Sequence, residues 1–175
     1  GSYDGVHKGH MVLLGRIINI AKEKKGESVV LTFHPHPRQI LEGGCGVKLL
    51  NSLEEKLMLL EKAGIDNVII IPFTKEFSFI SSYDFVKYLL VDKIGVSTLI
   101  VGYNHHFGHN REGNFDYLDK MCADFGFGIY MLPKQEVDND KVSSTAVRNC
   151  IEQGDMARAE EFLGYPYFMT GTVTE

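Results

Sequence analysis

The run Ser52-Leu53-Glu54-Glu55-Lys56-Leu57-Met58-Leu59-Leu60-Glu61-Lys62-Ala63-Gly64-Ile65-Asp66-Asn67-Val68-Ile69-Ile70-Ile71-Pro72 decides the fold class. Its first half has a helix signature. Ser52 followed three residues later by Glu55 is a capping box, which satisfies backbone N–H groups that a helix start leaves orphaned. The helix is predicted to end near Gly64. From Asn67 the period changes: Val-Ile-Ile-Ile is a continuous apolar run, short enough to be a buried strand.

The same alternation extends in both directions. Upstream, Met11, Leu14, Ile17, Ile18 and Ala21 recur at helical spacing and stop at Gly26, and Ser28 to Phe33 is a β-rich run. Downstream, the spacing predicts a helix over 82–94, a strand over 97–101, a helix over 115–125 after Asn114 and a strand over 128–132. Two short helices follow, over 145–153 and 155–163, the second closed by Gly164. Strands of nearly continuous apolar residues alternating with helices predict one α/β domain, a parallel sheet with helices on both faces. Ligands of such sheets sit at the carboxyl ends of the strands.

Composition narrows the function classes. With 175 residues, 44% hydrophobic and 23% charged, the chain reads as an ordinary globular protein. It can bury a core without disulfides or a structural metal. No apolar run approaches the roughly 18 residues of a membrane span. A net charge of -5 without a basic stripe argues against a nucleic-acid surface, so an anionic ligand must be held by a local site. Cys45, Cys122 and Cys150 are scattered and odd in number, which fits a reducing cytoplasm better than a disulfide framework. The first residue is Gly1 and the last, Glu175, follows a strand-like stretch; both ends read as cut.

Two segments carry candidate chemistry. In Gly1-Ser2-Tyr3-Asp4-Gly5-Val6-His7-Lys8-Gly9-His10, the two histidines are three apart and share one face of a first helical turn. Gly9 removes a side chain where a ligand could approach closely. Helix N-termini favour anions, so the pair reads either as a phosphate site or as two surface histidines at a helix start. In Val142-Ser143-Ser144-Thr145-Ala146-Val147-Arg148, Ser144 is expected to cap the helix that Thr145 opens, with Arg148 one turn on. Two hydroxyls, free amides and a guanidinium would converge on a phosphate, or the segment is a plain capped helix with a solvated Arg. His34-Pro35-His36-Pro37 is a rigid extended connector on its own reading, since each Pro restricts its predecessor. A zinc site from His36, His105, His106 and His109 is disfavoured because no cysteine joins them. Phe73, Phe77, Phe79 and Phe85 read as packing.

Taken together, the first loop with His7-Lys8-Gly9-His10 and the later Ser143-Ser144-Thr145-Ala146-Val147-Arg148 resemble the nucleotidyltransferase superfamily, whose members hold ATP phosphates between these two elements. Thr32-Phe33-His34-Pro35-His36-Pro37, and Gly102-Tyr103-Asn104-His105-His106-Phe107-Gly108 leading to Arg111-Glu112-Gly113, are similar to segments of the bacterial bifunctional riboflavin kinase/FAD synthetases. Leu163-Gly164-Tyr165-Pro166-Tyr167, then a strand with Gly171, resembles that family's passage into its kinase domain. The resemblance covers nearly the whole chain.

The resemblance implies a Rossmann-like nucleotidyltransferase fold whose first strand, before Gly1, is missing here. It implies an FMN adenylyltransferase domain over 1–166, with 167–175 starting the connection to a riboflavin kinase domain. ATP and FMN would be substrates, with Mg2+ bridging phosphate oxygens and no protein residue as a metal ligand. His7, His10, Ser144, Thr145 and Arg148 would be catalytic: the histidines, one of them cationic, at the α-phosphoryl group, the others at the β- and γ-phosphates. Gly1, Ser2, Tyr3, Asp4, Gly9 and Ser143 would line the ATP, with Asp4 ordering the loop or contacting the ion from outside. Phe33, Pro35, His36, Pro37, Asn104, Phe107 and Arg111 would receive the flavin. His105, where the family has Phe, would make that wall more polar. Rival acceptors are pantetheine phosphate, nicotinamide mononucleotide or a small phosphorylated alcohol. A non-catalytic flavin or nucleotide sensor is the rival outside enzymes.

Overall fold

The computed structural model describes residues 1–41, 47–102, 106–132, 136–137 and 140–173. In chain order come α1 (Lys8–Glu23), β1 (Val29–His34), α2 (Pro37–Leu41), α3 (Leu53–Lys62) and β2 (Asn67–Pro72). Then follow α4 (Ser82–Asp84), continuing as a π-helix over Phe85–Ile94, β3 (Thr98–Gly102), α5 (Phe115–Phe125) and β4 (Gly128–Leu132). A short hairpin, β5 (Glu136–Val137) and β6 (Asp140–Lys141), precedes α6 (Ser144–Glu152) and α7 (Met156–Leu163). The chain divides into two compact units, Gly1–Ile71 with Gln135–Glu175, and Pro72–Lys134.

In the first unit the capping box forms as read. Ser52 Oγ accepts from the Glu55 backbone N–H at 3.1 Å, and Glu55 Oε2 accepts from the Ser52 N–H at 2.8 Å. β1 pairs with β2, and the approach is fixed by a polar clasp. Ser28 donates to Asp66 Oδ2 through its backbone N–H at 2.8 Å and its hydroxyl at 2.7 Å, while that hydroxyl accepts from the Asp66 N–H at 2.9 Å. Leu14 of α1, Val30 of β1 and Leu59 and Leu60 of α3 bury a common core with Tyr3, Val6 and Ile65. A second cluster joins Leu50 and Val142 to Val147 of α6 and to Ala159, Phe162 and Leu163 of α7. β2 is less covered than its apolar run predicts: Ile71 is buried but Ile70 is 39% exposed. Among the described residues it has one strand neighbour rather than two.

The segment after α7 is buttoned onto this unit by three side chains. Tyr165 Oη donates to the Gly5 carbonyl at 2.7 Å and Tyr167 Oη to the Leu50 carbonyl at 3.2 Å. Thr170 donates to Glu55 Oε1 through both its backbone N–H and its hydroxyl.

In the second unit β3 and β4 pair in parallel, with register from Thr98↔Gly128 to Gly102↔Leu132. α5 connects them, capped by Asn114, whose Oδ1 accepts from the Tyr117 N–H at 2.9 Å, and closed by Gly126 at φ 73. The helix read over 82–94 is present, but from Phe85 onward it is wound as a π-helix. Val86 and Leu90, four residues apart, are its buried residues, while Tyr88 is exposed. Phe73, Phe77 and Phe85 pack as expected, ring against ring at 5.7 and 6.4 Å; Phe79 is 62% exposed. The β5–β6 hairpin went unread because two-residue strands show no period. Cys45, Asn104 and His105 lie outside the described residues.

Candidate active site

The first loop folds tightly against the chain that follows it. Tyr3, Gly5 and Val6 all take positive φ, at 49, 80 and 33°, a region that a β-branched residue such as Val6 rarely enters. A Cβ on Gly5 would stand 2.6 Å from Leu50 Cδ1, so glycine is required there by both angle and space. Such strain persists only where surrounding bonds over-determine the loop.

Those bonds converge on Asp4, which is 3% exposed. Its Oδ1 accepts from the Leu50 N–H at 2.8 Å, and its Oδ2 from an Nη of Arg148 at 2.9 Å. Its backbone carbonyl accepts from Ser144 Oγ at 2.8 Å. Arg148 Nε meanwhile donates to the Lys48 carbonyl at 2.7 Å. One carboxylate therefore ties the first loop, residues 48–50 and the start of α6 into a knot. Of the two expectations for Asp4, loop ordering is the geometry observed. Arg148 is not a free solvated cation, and the Asp4 pairing consumes part of the charge expected at phosphates.

The helix starts differ from expectation in detail. Ser143, not Ser144, caps α6, its Oγ accepting from the Ala146 N–H at 3.2 Å. Ser144 is freed to bond Asp4, and Thr145 is exposed. His7 caps α1, its Nδ1 accepting from the His10 backbone N–H at 3.4 Å. The two imidazoles stack with centroids 3.7 Å apart and planes 17° from parallel, and Tyr3 tilts against His10 at 5.2 Å. A Cβ on Gly9 would press within 3.2 Å of the His7 ring, so this glycine makes room for His7 itself.

Burial sets the protonation of the pair. Desolvation lowers His7 to about 4, against an opposing pull from Asp4. His10 is pushed well below its ordinary value by burial first and by His7 next. Without a ligand both are neutral near pH 7; the expected cationic member belongs to the polyphosphate complex, whose negative charge would raise an imidazole pKa. Since His7 Nδ1 accepts a bond, its proton is assigned to Nε2, which becomes a donor. His10 Nδ1 and Thr32 Oγ1 are buried without a hydrogen-bond partner among the described residues. Both amide atoms of Asn51 are in the same position, and buried polar atoms without partners are rare.

The turn 34–37 is built locally. His34 and Pro35 are exposed, while Phe33, His36 and Pro37 are half-buried. His36 donates its backbone N–H to Gln39 Oε1 at 3.1 Å, and its Nδ1 accepts from the Arg38 N–H at 3.2 Å. Pro37 opens α2, a position where a missing N–H costs nothing. Burial lowers the His36 pKa, opposed by Asp4. Gly1 donates from its nitrogen to the Leu31 carbonyl at 2.8 Å, alongside β1, and Ser2 is half-buried. In the second unit the Phe107 ring packs on Phe85 and Tyr117 at 5.7 and 6.3 Å, and Arg111 ends a 3-10 turn. No three His, Cys, Asp or Glu side chains gather into a metal site among the described residues. Lys48 belongs to no sequence motif because it acts through its backbone carbonyl, which holds Arg148, and Lys56 lies outside the motifs as well.

Known proteins share this pattern. The FAD synthetase family matches residues 1–146. Proteins described as bifunctional riboflavin kinase/FMN adenylyltransferase are 37% identical in Listeria monocytogenes, 35% in Pseudomonas fluorescens and 33% in Escherichia coli K12, each over 99% of this chain. The chain spans about half of those relatives, 55% of each. A solved structure described as a macrolide-efflux protein from Streptococcus pneumoniae superposes with a TM-score of 0.84 over 95% of this chain and 55% of that one. At 23% identity that likeness establishes the shared fold alone. With the strained loop, the histidine pair and the α6 start matched within one family pattern, the chain belongs to the FAD synthetase family.

Proposed function

We propose that the chain transfers the AMP of ATP to FMN, giving FAD and pyrophosphate. An oxygen of the FMN phosphate bonds to the α-phosphorus as the bond to the α–β bridging oxygen breaks. A phosphate monoester has its second pKa at about 6, so the nucleophile is already ionised at neutral pH and needs no base. What remains for the protein is alignment and stabilisation of developing charge. The observation that carries the reading is the pair of neutral, stacked histidines at the start of α1, fixed in a loop that Asp4 locks to α6. Imidazole donors aimed at the α-phosphoryl group stabilise the charge that develops there.

In this reading His7 and His10 donate at the α-phosphoryl group, while Ser144, Thr145 and the remaining N–H groups of Arg148 meet the β- and γ-phosphates. Gly1, Ser2, Tyr3, Gly9 and Ser143 flank the nucleotide. Phe33, Pro35, His36 and Pro37 receive the flavin; roles for Asn104, Phe107 and Arg111 rest on the motif. Mg2+ enters with ATP, held by phosphate oxygens and water. No described helix is long and apolar enough to cross a membrane. A cytoplasmic setting and a riboflavin kinase domain beyond residue 167 complete the proposal.

The test is incubation with ATP, Mg2+ and FMN, followed by chromatography for FAD and pyrophosphate. Product from pantetheine phosphate or nicotinamide mononucleotide in place of FMN would sink the flavin acceptor. Tight binding of FMN and ATP with no turnover would favour the sensor. Conversion of riboflavin to FMN by these residues would overturn the division at 167.

A further inference from the structure

Lys56 occupies a core position. It lies on α3 one turn before Leu59 and Leu60, on the face that buries those leucines, and is itself only 6% exposed. Lysines at such positions are almost never buried unless paired. Among the described residues its ammonium makes no hydrogen bond and no ion pair, and the nearby carboxylates are committed elsewhere. Asp4 is taken by Leu50 and Arg148. Glu55 is taken by Ser52 and Thr170. The charge of Lys56 is felt at both His10 and His36, so it lies within electrostatic reach of the histidine pair and of the 34–37 turn. Burial lowers its pKa and Asp4 raises it.

The side chain is buried while its unpaired ammonium keeps an edge toward solvent, and a methionine of similar length would fill the same space without a partly desolvated charge. The histidines are neutral without ligand and Arg148 is shared with Asp4, while a substrate bearing several negative charges calls for further positive charge beside Arg38 and Arg148. We propose that Lys56 is a phosphate-binding residue of this site, its ammonium completing its pairing on a phosphate oxygen of the bound substrates. The inference rests on the adenylyl-transfer reading for its ligands but is tested by binding alone.

The experiment compares wild type, Lys56→Met, Lys56→Gln and Lys56→Arg by calorimetric titration with ATP, adenosine, FMN and riboflavin, alongside thermal unfolding. Lys56→Met is expected to unfold at the same or a higher temperature. It should lose roughly ten- to hundredfold in affinity for at least one phosphorylated ligand, the range of one charge-assisted hydrogen bond. Adenosine and riboflavin should bind as before, and Lys56→Arg should recover most of the loss. A deficit for ATP alone assigns the nucleotide phosphates, for FMN alone the acceptor phosphate, and for both a position between them; each supports the proposal. Folded Met or Gln variants with unchanged ATP and FMN affinity overturn it. So does a parallel loss for adenosine and riboflavin, which marks a packing role. A wild type that binds both phosphorylated ligands yet forms no FAD sinks the acceptor reading and leaves the Lys56 result to stand separately.

Discussion

The Asp4 knot and the 34–37 turn belong to the same compact unit and are built on opposite plans. The knot's bonds join residues 46, 100, 140 and 144 positions apart, around a carboxylate that is 3% exposed. The turn's bonds span two or three positions, and His34 and Pro35 stand in solvent. Donors that stabilise developing charge must be held to a fraction of an ångström, which long-range polar bonds in a desolvated setting can do. The flavin role proposed for the turn would need shape more than fixed charge, which prolines with local hydrogen bonds can supply. The difference implies that damage to the knot costs folding and turnover together, whereas damage to the turn costs ligand binding alone.

The largest break is Asp4→Ala. It leaves Arg148 without its carboxylate and the Leu50 N–H without an acceptor, and should destabilise by about 3 kcal/mol or more. Denaturant unfolding checks this, with a parallel loss of FAD formation; normal stability would show that the knot is incidental. Next comes His10→Ala. Removing one preorganised donor typically lowers turnover by about 10²–10³, with FMN affinity little changed. Near-full turnover in a folded His10→Ala protein would remove the first loop from the chemistry.

Acid should load the first loop through its buried histidines. Unfolded His7 takes up a proton near its ordinary 6.5, while the folded ring resists until about 4. Stability from its burial is therefore complete above about pH 6.5 and is lost as pH falls toward 4, by about 3 kcal/mol. His10 acts in the same direction. Unfolding midpoints between pH 7 and 4 should fall steeply in wild type and less steeply in His7→Gln; parallel slopes would contradict the neutral pair. The smallest effect is expected at the turn. His36→Ala should change stability by less than about 0.5 kcal/mol, as a half-exposed residue with local bonds. The FMN requirement should rise several-fold while that for ATP holds. An equal rise for both would erase the contrast between the regions.

What was legible in the sequence follows from the range of the interactions that carry it. The Ser52–Glu55 capping box, the Gly26, Gly64 and Gly164 helix endings and the strand–helix alternation depend on neighbours within a few positions, so they could be read directly. The site residues could be named because their types cluster in short motifs. Their partnerships could not. That Arg148 pairs with Asp4 and that Ser144 reaches the loop, leaving the local cap to Ser143, depend on contacts between segments more than 100 residues apart, and the burial that neutralises His7 belongs to the folded unit and not to its neighbours in sequence. Lys56 left a fainter trace, a charge placed three and four residues before two core leucines. A helical wheel shows it, whereas a motif search does not.

The buttons that close the first unit also make it a mechanical circuit. The phenol of Tyr165 grips the carbonyl of Gly5, inside the positive-φ stretch of the first loop, and Thr170 grips the glutamate that caps the helix bearing Lys56. Tension applied beyond residue 170 would travel along this short tether to the loop and to the start of α3 at once. Slack would release both. The last described turns of the chain are thus part of the frame that fixes the loop bearing the histidines, not an appendage laid over it.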